Sequence, residues 1–344
     1  MNASAQFLMP SEAAKRLGVS TKALRLYEQH GLIIPLRSAA GWRAYGPDDM
    51  SRAAEIVALR ALGFSLAQVA RVLKSDPEGL GQALAAHEAT LESQMRQLAG
   101  TLEKIRGLLR QLPGGRVPTA GELTELLASA GELVVTFDLP WPWGGEQFEL
   151  RHIRPLTCII GPLGSGKTRF AKRLAEALPK AAFLGLERLA KSGTELRRQV
   201  GADPLLGSRI DQTLAWLVED GADMTDALIA LVAGLEAEGP TVLVVDMIEQ
   251  GLKEAAQQAV IAHLRRRGPG ERPLFLITRS SAILDLETVG AKETIILCPA
   301  NHSYPVYVQP YPGSPGYEAV ATCLASPEVR ARTDGVVAWR PEAV

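Results

Sequence analysis

A glycine-rich loop in the middle of the chain sets the strongest limit on its fold. Residues 161–168 read GPLGSGKT, which matches the pattern G-x-x-x-x-G-K-[ST], and they follow the apolar, β-branched run LTCII at 156–160. A helical pattern covers 168–178 directly after the loop. In such a strand–loop–helix unit, backbone N–H groups at the start of the helix surround phosphate oxygens. The sequence therefore predicts an α/β domain that binds a nucleotide.

A second buried strand supplies the acidic partner of this loop. The apolar run at 241–245 ends in Asp246, and a third apolar run follows at 273–278. Lys167 is expected to reach the β- and γ-phosphates, while Thr168 and Asp246 are the predicted Mg²⁺ ligands. The predicted cofactors are thus ATP or ADP with Mg²⁺. The residues predicted to bind them are Gly161, Pro162, Leu163, Gly164, Ser165, Gly166, Lys167, Thr168 and Asp246.

The segments that follow these strands add a family resemblance. Residues 246–252 read DMIEQGL, and residues 278–285 read TRSSAILD. Over about 148–300 the chain resembles the ABC-type ATPases, in particular the branch related to SMC, Rad50 and OLD proteins. That branch usually reads D-E-x-E-x-G-L and T-H-S at these places. The resemblance implies an ABC-like P-loop ATPase domain.

Three departures from that pattern bear on catalysis. Met247 stands at the position of the catalytic glutamate, Arg279 replaces the switch histidine, and residues 223–227 read DMTDA where a Ser-Gly-Gly-Gln signature is usual. A residue that orients the attacking water is therefore missing from its usual place, and Glu249 is the candidate for this role. We expect ATP to bind and to be hydrolysed slowly or not at all, which leaves open whether the chain is an enzyme.

The start of the chain carries a different pattern. Residues 1–74 contain ten lysines and arginines against five acidic residues, a net charge of +5 in a chain whose total is −1. The residues from Ser11 to Gly18 indicate a short helix closed by a glycine turn, and Ser20 can cap a second helix over Thr21–His30. A basic two-helix unit is typical of a helix-turn-helix that reads DNA, although a plain helical hairpin has the same apolar spacing.

Three segments relate this head, residues 1–76, to a known family. They are RLYEQHGL at 25–32, GWRAY at 41–45 and LGFSL at 62–66. The head closely resembles the winged-helix domain of the MerR family of regulators. The resemblance implies that Lys22 and Arg25 face the major groove of double-stranded promoter DNA. It also implies phosphate contacts by Tyr27, Arg43 and Tyr45, with core packing as the alternative for the two tyrosines.

Apolar residues recur with a heptad spacing over residues 79–112. One row contains Leu84, Leu91, Leu98, Ile105 and Leu112, and the other contains Met95, Leu102 and Leu109. Four heptads of this kind predict a long helix with a coiled-coil seam. MerR relatives dimerise through an antiparallel coiled coil at this place in the chain. The spacing and the resemblance therefore both favour a homodimer.

Other candidate residues carry weaker signals. The chain has three cysteines, Cys158, Cys298 and Cys323. None lies in the head or the heptad segment, where metal-sensing MerR relatives carry effector cysteines, so a metal–thiolate sensor of that type is not expected. Cys298 and His302 alone are too few for a metal site. Trp141 and Trp143 precede the phosphate loop, where ABC-type proteins often place an aromatic ring against adenine, although packing within the body is favoured.

These patterns together predict a multidomain fold with an all-α winged helix-turn-helix, a long coiled-coil helix and an α/β P-loop NTPase domain of ABC-ATPase-like type. The predicted boundaries are 1–76 for the DNA-binding domain, 77–113 for the dimerisation helix, 114–132 for the linker and 133–344 for the ATPase domain. No apolar run is long enough to cross a membrane, which predicts a cytoplasmic protein.

The favoured function is a dimeric transcription regulator whose DNA binding or promoter remodelling depends on ATP or ADP. Its expected partners are promoter DNA, a second copy of the chain and RNA polymerase. Two alternatives stay open at this point. One is a P-loop small-molecule kinase that the winged helix autoregulates, and the other is a DNA-repair or defence ATPase.

Overall fold

A computed structural model describes most of the chain. The described residues are 7–37, 41–74 apart from 63, part of the segment 81–110, 134–190 apart from 152, 203–267, and 271–331 apart from 291. The predicted linker at 114–132 and three heptad positions, Leu91, Leu98 and Leu112, lie outside the described residues.

The head begins with two short helices separated by a tight turn. α1 (Pro10–Leu17) begins at a proline and ends at Gly18, whose φ of 67° is the left-handed conformation that glycine adopts without strain. α2 (Thr21–Gln29) begins after Ser20, whose Oγ accepts a hydrogen bond from a backbone N–H of the first turn at 3.1 Å. The predicted two-helix unit is confirmed.

A small sheet and two further helices complete the head. β1 (Leu36–Arg37) pairs antiparallel with β2 (Arg43–Ala44), and these strands form the wing. α3 (Pro47–Ala61) and α4 (Leu66–Val72) follow, and α4 begins with a reciprocal pair of hydrogen bonds between Ser65 and the residue three positions later. The largest side chains that these elements bury together are Leu24, Tyr27, Tyr45, Ile56, Phe64 and Leu66.

The described residues between 81 and 110 are helical, including the continuous stretch 105–110. Five of the predicted heptad side chains are described there, and all five are exposed. They are Leu84, Met95, Leu102, Ile105 and Leu109. Exposed apolar side chains at heptad spacing are what a coiled-coil partner covers, because burying them removes apolar area from water. The coiled coil itself stays a prediction.

A six-stranded sheet lies at the centre of the body, the described residues from 134 to 331. The strands of the body are β3 (Val135–Asp138), β4 (Gln147–Leu150), β5 (Leu156–Ile160), β6 (Ala181–Leu184), β7 (Val242–Val245), β8 (Leu274–Ile277), β9 (Glu293–Leu297) and β10 (Val306–Val308). The order in the large sheet is β10-β9-β5-β8-β7-β6, with β10 antiparallel at one edge and the other strands parallel. β3 and β4 form a separate antiparallel hairpin.

Helices cover both faces of this sheet. The helices of the body are α5 (Lys167–Ala177), α6 (Pro204–Glu219), α7 (Asp226–Glu236), α8 (Glu254–Arg265), α9 (Tyr317–Cys323) and α10 (Pro327–Ala331). Strands β5, β7 and β8 are buried along their whole length, as expected for parallel strands between two helical layers. One core forms between the sheet and α6, α7 and α8, and another between the sheet, α5 and the β3–β4 hairpin. The predicted α/β fold of the body is confirmed.

Phe170 joins the hairpin to the helix that follows the phosphate loop. Its side chain is fully buried, and its ring centroid lies 5.7 Å from that of Phe137, 5.1 Å from that of Phe148 and 6.1 Å from that of Trp143. Aromatic groups at these separations gain stability from their mutual orientation as well as from burial. The hairpin is thereby fixed against α5 and next to the loop.

Head and body are in contact. Helix α4 of the head packs against the C-terminal end of α6 of the body. Within the ranges given above, no helix is both long and apolar enough to cross a lipid bilayer.

We expect Phe170→Ala to lower the free energy of unfolding of the body by about 3–5 kcal/mol, because the substitution leaves a cavity among three aromatic rings. Urea denaturation of the full chain measures this change. Tyr311→Ala removes an exposed ring (57% exposed) and is the matched control, with an expected loss of less than about 0.5 kcal/mol. Equal losses in the two variants would contradict the packing described here.

Candidate functional site

Three parallel strands end side by side at one edge of the sheet. β5 leads into Gly161, β7 into Asp246 and β8 into Thr278. The pairing of β5 with β8 and of β8 with β7 holds these ends together. Loops at the carboxyl ends of parallel strands are where α/β proteins build their sites, because the helices that follow leave a crevice there. The residues predicted from the two motifs are thus neighbours.

Two glycines of the phosphate loop lie where a side chain does not fit. A Cβ on Gly161 would lie 2.3 Å from the backbone oxygen of Cys298, at the end of β9. Gly166 has a φ of 88°, and a Cβ there would lie 2.9 Å from the ring of Trp143. The loop is therefore packed between β9 and the segment before β4, and both contacts require glycine.

Lys167 is buried at the start of α5. Its Nζ donates a hydrogen bond to the backbone oxygen of Pro162 at 2.7 Å, within the loop itself. Burial and, to a smaller extent, the neighbouring charge of Arg279 lower the pKa of Lys167 to about 8. An anion bound at the loop would raise the pKa of Lys167 again and so favour its charged form.

Thr168 and Asp246 meet at the mouth of the loop. The Thr168 hydroxyl donates to a carboxylate oxygen of Asp246 across 3.4 Å, and Asp246 is only 5% exposed. Burial raises the pKa of Asp246, which the hydrogen bond from Thr168 partly opposes. A hydroxyl and a carboxylate at one point are the oxygen donors that Mg²⁺ takes from proteins, with substrate phosphates supplying further ligands.

The loop fits a phosphate group in a further respect. The Oγ atom of Ser165 is buried and has no hydrogen-bond partner among the described residues. Buried hydroxyls are nearly always paired, so an unpaired one calls for a ligand or water at that point. The cradle formed by the two glycines, the amine of Lys167 and the Thr168–Asp246 pair suits a nucleotide phosphate with Mg²⁺.

Arg188 is hydrogen-bonded to the backbone that follows β7. The sequence patterns did not single out this residue. It is 6% exposed and donates hydrogen bonds to the backbone oxygens of Gly185 at 2.9 Å, Asp246 at 2.8 Å and Met247 at 2.7 Å. Met247 has a φ of 44°, which is strained for a residue with a long side chain. Arg188 therefore holds the backbone after β7 in an unusual conformation.

Glu249 and Arg279, the two predicted catalytic residues, are joined by a hydrogen bond. A carboxylate oxygen of Glu249 accepts a hydrogen bond from the backbone N–H of Arg279 at 2.9 Å and forms an ion pair with Arg330 on α10. Glu249 is 3% exposed, and its second carboxylate oxygen has no partner in the described part of the chain. The carboxylate is thus held by two donors and kept away from solvent.

The two tryptophans before the loop have different surroundings. Trp143 is buried and donates from its ring nitrogen to the backbone oxygen of Ser303 at 3.0 Å, so it packs as favoured above. Trp141 is 61% exposed, and the guanidinium of Arg169 lies 4.4 Å from its ring centroid. Trp141 is therefore the ring that a ligand can reach.

The predicted DNA-binding residues of the head have different surroundings. Arg25 is exposed, whereas the Nζ of Lys22 donates a hydrogen bond to the backbone oxygen of Ser281 in the body at 2.9 Å. Arg43 and Tyr45 both donate to the carboxylate of Glu28, Arg43 at 2.6 Å. Phosphate contact by these residues stays a prediction.

The two tyrosines of the head have buried rings. Tyr27 is 5% exposed and Tyr45 is fully buried, so both contribute to the core of the head. Burial raises the pKa of Tyr45, and the hydrogen bond to Glu28 raises it further. The rings of both tyrosines therefore pack in the core, which is the alternative to phosphate contact given in the sequence analysis.

Cys298 and His302 have different surroundings. Cys298 is fully buried at the end of β9, and a ring nitrogen of His302 lies 3.1 Å from the backbone oxygen of Gly164. Within the described ranges, no group of three or more His, Cys, Asp or Glu side chains is arranged to hold a metal ion.

Solved structures include chains similar to the body. A nucleotide-free ATP-binding cassette from an ABC transporter is 13% identical, with a TM-score of 0.39, over 58% of this chain and 97% of that chain.

The head matches known regulators. The family model for MerR HTH family regulatory proteins matches residues 8–76. A probable heavy metal-dependent transcriptional regulator of Haemophilus influenzae is 42% identical over 28% of this chain and 80% of that protein. The HTH-type transcriptional regulator HmrR of Sinorhizobium medicae is 32% identical over 35% of this chain and 86% of that protein. The chain therefore belongs to the MerR family of helix-turn-helix regulatory proteins.

Proposed function

We propose that this protein is a dimeric regulator of promoter DNA whose DNA binding or promoter remodelling is controlled by ATP or ADP bound to an ABC-like body. The observation that carries this proposal is the phosphate-loop cradle. Gly161 and Gly166 admit no side chain, Lys167 is buried with a lowered pKa, and Thr168 meets Asp246. This cradle and a MerR-type DNA-binding domain occur in one chain.

Each residue of the cradle has a defined part in holding a nucleotide. The loop N–H groups and Lys167 would bind phosphate oxygens, and Thr168 and Asp246 would hold Mg²⁺, which neutralises phosphate charge when bound. Arg279 places a second cation beside Lys167. The exposed ring of Trp141 offers a face on which a base can stack.

The cysteines favour a nucleotide over a metal ion as the effector. Burial raises the pKa of the Cys158 thiol to about 12 and that of the Cys298 thiol to about 12. Both thiols are therefore protonated at neutral pH, whereas the thiolate is the form that binds metals. The relative from Haemophilus influenzae is named for dependence on heavy metals, and we propose that this chain responds to a different ligand.

The expected strength of the control is modest. Bending or untwisting a promoter site costs a few kcal/mol, on the order of 1–6. A nucleotide that binds one conformer about tenfold more tightly than the other contributes about 1.4 kcal/mol. Such a contribution shifts the balance between two conformers without making the response all-or-none.

We expect Lys167→Ala to abolish the effect of ATP on DNA binding while leaving DNA binding in the absence of nucleotide unchanged. The substitution removes the cation that binds the phosphates and does not touch the head. Footprinting on the region upstream of the protein's own gene, with and without ATP, measures both quantities. Lys180→Ala, after the end of α5, is the matched control. An identical ATP response in wild type and Lys167→Ala would refute nucleotide control.

Nucleotide affinity should fall as the pH rises above about 8. Lys167 is charged below its pKa of about 8 in the free protein, and bound phosphates raise this pKa. Binding therefore takes up a proton above pH 8, and affinity falls by up to about tenfold per pH unit until the pKa of the complex is reached. Calorimetry in two buffers with different ionisation enthalpies measures the proton uptake. A constant affinity from pH 7 to 9.5 would contradict this assignment.

The ion pair between Arg330 and Glu249 accounts for slow hydrolysis in this proposal. A carboxylate paired with a guanidinium is a poor acceptor for the proton of a water molecule. We expect Arg330→Gln to raise the rate of ATP hydrolysis about tenfold or more, since a positioned base contributes roughly 10²–10⁴-fold. Steady-state phosphate release measures the rate.

Two further variants test the origin of that increase. Adding Glu249→Gln to Arg330→Gln should return the rate to the wild-type value, because the base is then absent. Arg173→Gln breaks an exposed ion pair on α5 and should leave the rate unchanged. If the double variant keeps the raised rate, Glu249 is not the base.

A further inference from the structure

We propose that the body carries a docking surface for the DNA-binding head, formed by Glu219, Asp220 and Ser281, and that the docked head cannot read DNA. This inference rests on the proposed function and states how the nucleotide controls DNA binding. Nucleotide bound beside Arg279 releases the head, and the released head binds promoter DNA.

The core of the docking surface is the carboxylate of Asp220 in the body, which accepts hydrogen bonds from the head. The Asp220 side chain is 1% exposed and accepts hydrogen bonds from Arg60 at 2.6 and 2.9 Å and from the backbone N–H of Leu66 at 2.7 Å. Among the described residues, all its side-chain hydrogen bonds come from the head. Beside it, the Ser65 hydroxyl donates to Glu219 at 2.7 Å.

The position of these acids in the body requires a partner. Glu219 is the last residue of α6, and Asp220 directly follows it. Carboxylates at the C-terminal end of a helix face its negative dipole and are disfavoured there. The head supplies the guanidinium of Arg60, which joins that of Arg266 in the body at this end of α6. The two guanidinium carbons lie 5.5 and 4.5 Å from the ring centroid of Trp216. The surface is therefore arranged for this occupant.

Docking holds both ends of the DNA-reading helix against the body. At the start of α2, Lys22 is bonded to the backbone oxygen of Ser281. At its end, the ring of His30 lies next to Gly221 of the body. A Cβ added to Gly221 would be 3.5 Å from that ring. Residues near the start of such a helix contact base edges in the major groove. A lysine whose amine donates to a backbone carbonyl of the body is not available to DNA.

The contact made by Lys22 lies next to the nucleotide site. Ser281 follows Arg279 by two residues, and the backbone N–H of Arg279 donates to Glu249. The same loop is tied to the segment before α10, because Ser281 and Arg279 exchange backbone hydrogen bonds with Ala325 at 3.0 Å each. A ligand that moves Arg279 or Glu249 thus moves the carbonyl to which Lys22 is bonded.

The docked state lowers DNA affinity by mass action. If only a fraction of the molecules is undocked, the apparent dissociation constant for DNA equals the intrinsic constant divided by that fraction. Removing the Asp220 carboxylate breaks three hydrogen bonds to the head, two of them from a guanidinium. We therefore expect Asp220→Ala to raise DNA affinity about tenfold in the absence of nucleotide.

The test uses the full chain without nucleotide and a duplex that covers the region upstream of its own gene. Fluorescence anisotropy measures the affinity of wild type, Asp220→Ala and Asp211→Ala, the last being an exposed aspartate on the same helix. Hydrogen exchange over residues 62–73, where Leu66 is bonded to Asp220, measures docking directly. Arg60→Gln breaks the same contact from the head and serves as a second variant if Asp220→Ala does not fold.

The expected result is faster exchange and tighter DNA binding in Asp220→Ala and Arg60→Gln, with Asp211→Ala like wild type. Unchanged exchange in both variants, or faster exchange without tighter binding, would overturn the proposal. Because this test contains no nucleotide, its outcome is separate from that of the Lys167→Ala experiment. If Asp220→Ala and Arg60→Gln bind DNA more tightly but ATP does not change DNA binding by the wild type, nucleotide control is refuted. The docking surface is then still supported.

Discussion

The parallel alignment of three buried strands is the constraint on which the rest of this structure depends. Because β5, β8 and β7 run in the same direction, Gly161, Thr278 and Asp246 follow one another along a single edge of the sheet. The loop at this edge is held on one side by β9 and on the other by the segment before β4, and both contacts exclude a Cβ. Neither the lysine nor the acid would face a common point without this alignment.

The sequence was sufficient for every element whose signal is local. The strand at 156–160 was predicted with its exact limits, and the helices of the head end within one or two residues of their predicted positions, because caps, prolines and glycine turns act over a few residues. The strands β6 and β9 were not predicted, since their apolar runs carry no motif. The helices α6 and α7 were not predicted either, although Asp203 and Thr225 cap their first turns.

The parts of the site that the sequence did not indicate depend on contacts between distant segments. No local pattern marks Arg188, which donates hydrogen bonds to the backbone oxygens of Asp246 and Met247 in the folded chain. Arg330 meets Glu249 across 81 positions of sequence, and Asp220 meets Arg60 across 160. One local signal was present for Asp220, since two acids end a helix where cations are preferred. Such a mismatch between side-chain charge and helix dipole indicates a partner before the partner is known.

The contact between α4 and α6 has a consequence for how the protein responds to its own abundance. Head and body belong to one polypeptide and are separated by residues 75–133, so their meeting is an intramolecular event. The local concentration of one for the other is fixed by the reach of that segment and does not fall on dilution. The balance between docked and undocked heads within one chain is consequently the same in a dilute sample as in a concentrated one.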